Sequence, residues 1–190
     1  GLIHAEEEGD VLTEAELVSM CFLLIIAGYE TTSHLITNAT VTLLDHPEQL
    51  ERLRFDPDLI GSAVEEVQRY SGPIHGAKLA YATEDVDWGG ATIRRGEAVM
   101  PLYGAANHDP EAFESPEIFD VGRESNHHFG FGHGLHFCLG AQLARMETRV
   151  AISHLFDRFP DLRLAVPRDQ LQFDRMPAWH RYKALPVRLH

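Results

Sequence analysis

From Glu14 to Leu44 the chain runs without a proline, and this uninterrupted apolar stretch constrains the fold more than any other feature, because proline is the residue that most reliably ends a helix. Thr13 opens a capping box with Glu16, so residues 14 to 45 are predicted as one long helix. Asp45-His46-Pro47 closes it and starts a short helix to about Arg54. Asp56-Pro57-Asp58 caps another reaching about Tyr70, in which Leu59, Ile60, Ala63, Val64 and Val67 recur at helical spacing.

The texture then changes. From Gly72 to Met100 short runs are broken by Gly89-Gly90 and Gly96, which predicts strands at Thr92-Ile93 and Ala98-Val99-Met100 in one small sheet. Residues 101 to 137 read as a long ordered loop anchored by Phe113, Phe119, Phe129 and Phe131. Leu139 to Phe159 is helical by period, and Leu162 to Leu189 reads as short strands and turns. The expected class is mainly α with small β-sheets. A length of 190 residues with 44% hydrophobic content sets the working count at one domain.

Charge and cysteine usage exclude several functions. Sixteen basic residues against 29 acidic ones give a net charge of −13, which repels a phosphate backbone and argues against nucleic acid as a partner. Cys21 sits in an apolar run and Cys138 in a glycine-rich loop, a pattern that fits a reducing cytoplasm better than a disulfide framework. The longest membrane candidate, Leu17 to Gly28, is too short to span and runs into Glu30, so no membrane segment is expected. The chain opens on Gly1 in a polar stretch, which reads as the middle of something longer.

The most informative segment is Phe131-Gly132-His133-Gly134-Leu135-His136-Phe137-Cys138-Leu139-Gly140, followed at once by a helix. Its glycines let backbone approach a flat cofactor, and a cysteine ahead of a helix N-terminus has its thiolate stabilised by the dipole and the free N–H groups. His136 is placed to donate to a carboxylate at the cofactor edge, and Phe131 to pack on its ring. Two plainer readings stand beside this one: an inert buried cysteine in a glycine turn, and a zinc site drawn from His127, His128, His133, His136 and Cys138. The segment resembles, at every specified position, the Phe-Gly-x-Gly-x-His-x-Cys-x-Gly signature of the cytochrome P-450 family. In that family the cysteine is the axial ligand to haem iron, which here is Cys138, with Phe131, Gly132, Gly134, His136 and Gly140 around the haem.

Two further segments match in order along the chain. Ala27-Gly28-Tyr29-Glu30-Thr31-Thr32 puts glycine, a carboxylate and two hydroxyls inside an apolar helix, a breach of packing rules that marks a site. It is similar to the family's Ala-Gly-x-(Asp/Glu)-Thr segment. The resemblance implies that Ala27 and Gly28 border the haem and that Gly28 and Thr31, the latter bonding back to its own helix, distort it and open a groove for dioxygen. Glu30 and Thr31 then carry the catalytic proton relay. Glu66 and Arg69 lie three apart on one helix face and occupy the place of the family's Glu-x-x-Arg pair, a structural lock. The match departs elsewhere. Ala80 stands where many bacterial members carry an arginine for a haem propionate, with Lys78 as a substitute, and Ile118 stands where many carry another arginine, which leaves Arg123 as third partner for Glu66 and Arg69. Tyr29 and His108 also stand where other residues are frequent.

The resemblance covers the C-terminal, haem-binding part of the family's fold, as a single partial domain over residues 1 to 190. It implies a soluble bacterial haem-thiolate monooxygenase inserting one atom of O2 into an apolar organic substrate of the secondary-metabolite kind. The implied cofactor is haem b, and electrons come from NAD(P)H through a separate ferredoxin and ferredoxin reductase. Ile25, Ile26, Ile74, His75 and Met176 are the substrate-contacting positions by the same resemblance. Arg145 and Arg149 form a basic spot for the electron donor or are ordinary pairing arginines. Two other readings remain: peroxide-driven haem-thiolate oxidation, and a non-catalytic fragment unable to hold haem.

Overall fold

The computed structural model describes residues 6–7, 10–76, 79–174 and 176–190. After a two-stranded ribbon, β1 (Glu6–Glu7) with β2 (Asp10–Val11), α1 runs from Glu14 to Asp45. Thr13 and Glu16 satisfy each other's backbone amides, as the capping box requires. The helices α2 (Pro47–Phe55), α3 (Ile60–Ser71) and α5 (Ala141–Arg158) pack around the C-terminal half of α1. There Leu35, Ala39 and Leu43 meet Leu50, Leu53, Ala63, Val67, Ile152 and Phe156, with Phe119 and Val121 closing the core from the long connection. A smaller cluster of Val41, Leu171 and Tyr182 docks the tail on the other side.

Where α1 joins α3 and the tail, buried Asn38 does what apolar packing cannot. Its Nδ2 donates to the Ser71 carbonyl at 2.7 Å and to the His180 carbonyl at 2.8 Å, giving two backbone acceptors the partner that burial denies them. Thr42 and Ser71 add a buried hydroxyl pair at 2.8 Å.

Three expectations are corrected. The strands do not share one sheet: β3 (Ala80–Tyr81) pairs with β6 (Ala98–Val99), while β4 (Val86–Trp88) and β5 (Ala91–Ile93) form a separate hairpin that turns at Gly89-Gly90. The region 101–137 contains a short helix, α4 (Tyr103–Ala106), and a 3-10 turn at Gly134–His136. The tail pairs β7 (Arg163–Leu164) with β8 (Val187–Arg188). Finally, α1 is long and apolar enough to cross a membrane by length and composition, with mean hydropathy 1.4 over an 18-residue window of which 6% is buried. Glu30 lowers the mean of such a window, but the aliphatic residues around it keep the value high enough. The second half of α1, from Thr32 to Leu43, is built into the protein core. Its first half is uncovered, with Phe22, Ile25, Ile26 and Tyr29 all more than 60% exposed.

Candidate active-site cleft

An open cleft of about 990 Å³ lies between α1, the strand region after α3 and the glycine-rich loop. Cys138 lines one side and Thr31 another, with Ala27, Gly28, Phe131, Gly132, His136 and Gly140 along the same walls. Residues from three sequence segments are thus brought to one cavity.

The loop holds its cysteine by backbone bonds. The Cys138 amide donates to the Phe131 carbonyl at 2.9 Å, the Gly132 amide to Phe129 at 2.8 Å, and the Phe137 amide to Gly134 at 3.0 Å. Two left-handed residues make this winding possible, Gly132 (φ 75°) and Gly134 (φ 71°), a region costly for a side-chain-bearing residue. The Cys138 carbonyl accepts from Ala141 at the start of α5, so the sulfur sits just ahead of that helix and is exposed.

Behind the loop lies a charged support. Arg145 donates from Nε and Nη2 to Glu65 at 2.6 and 2.8 Å, while its guanidinium lies 4.4 Å from the centre of the Phe131 ring. His128 bridges Glu65 and the Gly130 amide. Burial pushes the Glu65 carboxyl up, but hydrogen bonds from His128 and Arg145 and the Arg145 charge outweigh it and hold the group at about 2. Arg145 is therefore committed to Glu65 and is not a free docking cation, and the Arg149 guanidinium lies against Gly61.

Glu66 and Arg69 form a fully buried pair, with Nε and Nη2 each 2.8 Å from a carboxylate oxygen. Arg123 joins them, its Nε 3.1 Å from both oxygens of Glu66. The carbonyl of Ile118 accepts from both arginines, so this position contributes through its backbone. Arg69 also donates to the carbonyls of Asn107 and Pro116, which stitches α3 to the long connection. Asn126 and the Asp120 amide complete the shell on Glu66.

In α1, Thr31 Oγ1 donates to the Ala27 carbonyl at 2.6 Å, the back-bond expected of it, yet the helix continues without interruption through this segment. Gly28 has open space where a Cβ would stand. Glu30 does not line the cleft: its carboxylate accepts from Arg181 Nη1 of the tail. Of the substrate-contacting positions, Ile74 lines the cleft, whereas Ile25, Ile26, His75 and Met176 do not. Ile25 and Ile26 leave α1 roughly 200° and 100° round from Ala27 at about 100° per residue. His75 turns its ring onto His180, stacked at 4.6 Å, and burial together with His180 and His108 pushes its pKa down to about 4. Met176 places its sulfur 3.5 Å from Arg181 Nη2. His108 bonds the Gly104 carbonyl at 2.9 Å, and Tyr29 is exposed.

The cleft fits a flat, mostly apolar group with a soft metal-ligating centre. The exposed thiol of Cys138 offers a sulfur donor, Leu35, Ile74, Leu79 and Leu143 give aliphatic walls, and Tyr103, His133 and His136 put polar atoms at its borders. Ala80 is in the lining, and no lysine or arginine is found there among the described residues; Lys78 lies outside them.

Comparison with known proteins agrees with this geometry. The family model for cytochrome P-450 matches residues 58–173. The chain belongs to the cytochrome P-450 family. Cytochrome P-450 107B1 of Saccharopolyspora erythraea is 46% identical over 187 residues, covering 98% of this chain and 46% of the relative. The solved structure of the Bacillus subtilis bacillaene polyketide synthase cytochrome P-450 PksS superposes with a TM-score of 0.95 at 44% identity, over 99% of this chain and 48% of that one. P450BioI, solved with hexadec-9Z-enoic acid ligated acyl carrier protein, superposes with a TM-score of 0.88 at 49% identity, over 95% of this chain and 46% of its own. The chain spans about half the length of the curated relatives it matches. The mainly helical fold with small sheets is that of these cytochromes P-450, and membership of the family implies a haem.

The sequence missed Glu65 behind the loop, Gln68 in the cleft wall and Arg181 on Glu30, and it offered His128 only as a zinc ligand, whereas His128 bridges Glu65 and the Gly130 amide. Glu65 carried a signal, since a second carboxylate beside Glu66 projects about 100° away from it and needs a partner of its own. Arg181 carried none.

Proposed function

We propose that this chain is the cysteine-bearing part of a haem-thiolate monooxygenase that inserts one oxygen atom from O2 into a small apolar organic substrate. The observation that carries the reading is the meeting of Cys138 and Thr31 in one cleft of about 990 Å³. Haem b bound there supplies dioxygen activation. Cys138, kept in place by the amide bonds of residues 129–138, would be its sulfur ligand; Phe131, Gly132, Gly140, Ala27 and Gly28 in the lining would leave room for it, with His136 as a donor, and Gly134 would serve by turning the loop. Thr31 and Glu30 hold the protons the reaction consumes, Thr31 from inside the cleft and Glu30 from beside it. The Glu66, Arg69 and Arg123 cluster fixes the long connection that leads into the cysteine loop.

Electrons come, on this reading, from NAD(P)H through a ferredoxin and its reductase in the bacterial cytoplasm. Ile74 is the described substrate-contacting position that stays in the cleft. A secondary-metabolite substrate is supported by the polyketide role named for PksS of Bacillus subtilis.

The test is the absorption spectrum of the haem-reconstituted, dithionite-reduced protein under carbon monoxide, beside Cys138→Ala. The expected result is a strongly red-shifted Soret band that vanishes in the variant. Haem uptake with an unshifted band, or a band that survives in Cys138→Ala, refutes the assignment.

A further inference from the structure

The guanidinium of Arg181 is fixed within the tail before it meets α1. Its Nε and Nη2 donate to Asp174 at 3.1 and 2.7 Å, Nη2 also lies 3.5 Å from the Met176 sulfur, and the group sits over the Trp179 ring at 4.8 Å. All three neighbours are local to the tail, and they leave Nη1 facing α1, where it donates to Glu30. The Arg181 side chain is 14% exposed and that of Glu30 41%. The cation is the anchored member of this pair and the carboxylate the mobile one.

Glu30 and Thr31 are adjacent, yet only Thr31 lines the cleft. Their side chains leave the helix about 100° apart, so Glu30 reaches the cleft only by changing rotamer, and it does so only when off Nη1. We propose that Arg181 is the positioning residue of Glu30, holding its carboxylate on the tail side of α1 and so deciding when it joins Thr31 in the cleft. The inference rests on the monooxygenase reading of that cleft. Asp174 stays on Nε and Nη2 in both positions, so Arg181 is never left unpaired when Glu30 rotates away, and neither state carries a stranded charge. His34, one turn along α1 and edge-on to Trp179 at 6.3 Å, is the other titratable group here. Its burial and then the Arg181 charge push it toward the neutral form, so it does not compete for the carboxylate.

Two measurements test this. In an unfolding cycle of the chain with Arg181→Ala, Glu30→Gln and the double variant, the two effects are expected to fall short of additivity by about twofold to fivefold in the unfolding constant, the range of partly exposed ion pairs; additivity overturns the holding contact without any need of haem. In the haem-loaded protein with a surrogate ferredoxin, its reductase and NADPH, substrate-free peroxide release is followed against pH. Each peroxide takes two electrons from NADPH and two protons onto one dioxygen. Arg181→Ala is expected to raise this release several-fold and to shift its pH profile, with Arg181→Lys restoring both. A live parent whose Arg181→Ala form keeps the same release and profile sinks the gating role alone. A parent that gives no thiolate band under carbon monoxide sinks the monooxygenase reading and the gating with it.

Discussion

Replacing Glu66 by glutamine tests the buried cluster with almost no change of shape. The carboxylate accepts from Arg69 twice at 2.8 Å, from Arg123 at 3.1 Å, and from Asn126 and the Asp120 amide at 3.1 Å each. Glutamine keeps one acceptor oxygen and sets an NH2 against the donors of the other, since the Asp120 amide bonds Oε1 and Asn126 bonds Oε2. What it removes is the single negative charge facing two guanidiniums, one of them fully buried. Stripping the partner from a buried ion costs about 3–5 kcal/mol, a fifth or more of the ~5–15 kcal/mol that holds a typical domain folded. At roughly 2–4 °C per kcal/mol for a chain of this size, the melting temperature falls by about 6–20 °C. Urea titration followed by circular dichroism measures the loss. Arg52→Ala is the control, because it breaks an ion pair with Asp120 that is as short, 2.6 Å, but whose side chains are 48% and 37% exposed; its cost stays below about 1 kcal/mol. A Glu66→Gln loss no larger than that of Arg52→Ala refutes the argument that burial sets the strength of this cluster.

Two other perturbations follow from the same structure. His75 has its pKa pushed down to about 4 from 6.5, so its contribution to stability is fully present above pH 6.5 and is lost as pH falls toward 4; His75→Phe keeps a ring on His180 and is expected to flatten the stability profile in that window, and an unchanged slope of urea midpoint against pH contradicts this. Gly130→Ala places a Cβ 2.4 Å from Gln68 Cγ and 2.8 Å from its Nε2, which displaces the Gln68 bond to the Gly130 carbonyl and costs about 1–3 kcal/mol; a calorimetric melt that matches the parent shows that the loop yields instead.

What was legible in the sequence was what short-range chemistry specifies. The Thr13 and Glu16 cap, the Pro47 and Pro57 helix starts and the pairing of Glu66 with Arg69 each depend on residues three or fewer apart. The cysteine loop was legible because its turns need glycine at fixed positions, and two of those glycines have positive φ. The rest was set by partners far away in the chain. Glu30 is expected in a proton relay with Thr31, but the direction of its carboxylate depends on an arginine 151 positions later. His75 was read as a substrate contact, but a ring in the tail turns it aside. One sheet was expected where two ribbons formed, because alternation in so short a run does not say which neighbour a strand takes.

The two bonds of Asn38 also bear on the order in which the molecule assembles. One joins α1 to α3 across 33 positions, and the other reaches a carbonyl 142 positions on. Closing so large a loop is entropically slow, so during synthesis α1 and α3 come together first and wait with half of this joint unmade. The segment around His180 is made well after α3, and only once it has emerged does the second bond close on α1. Until that moment Val41 of α1 lacks the cover that Leu171 and Tyr182 give it in the folded molecule, and an apolar surface left open in this way is exposed to aggregation.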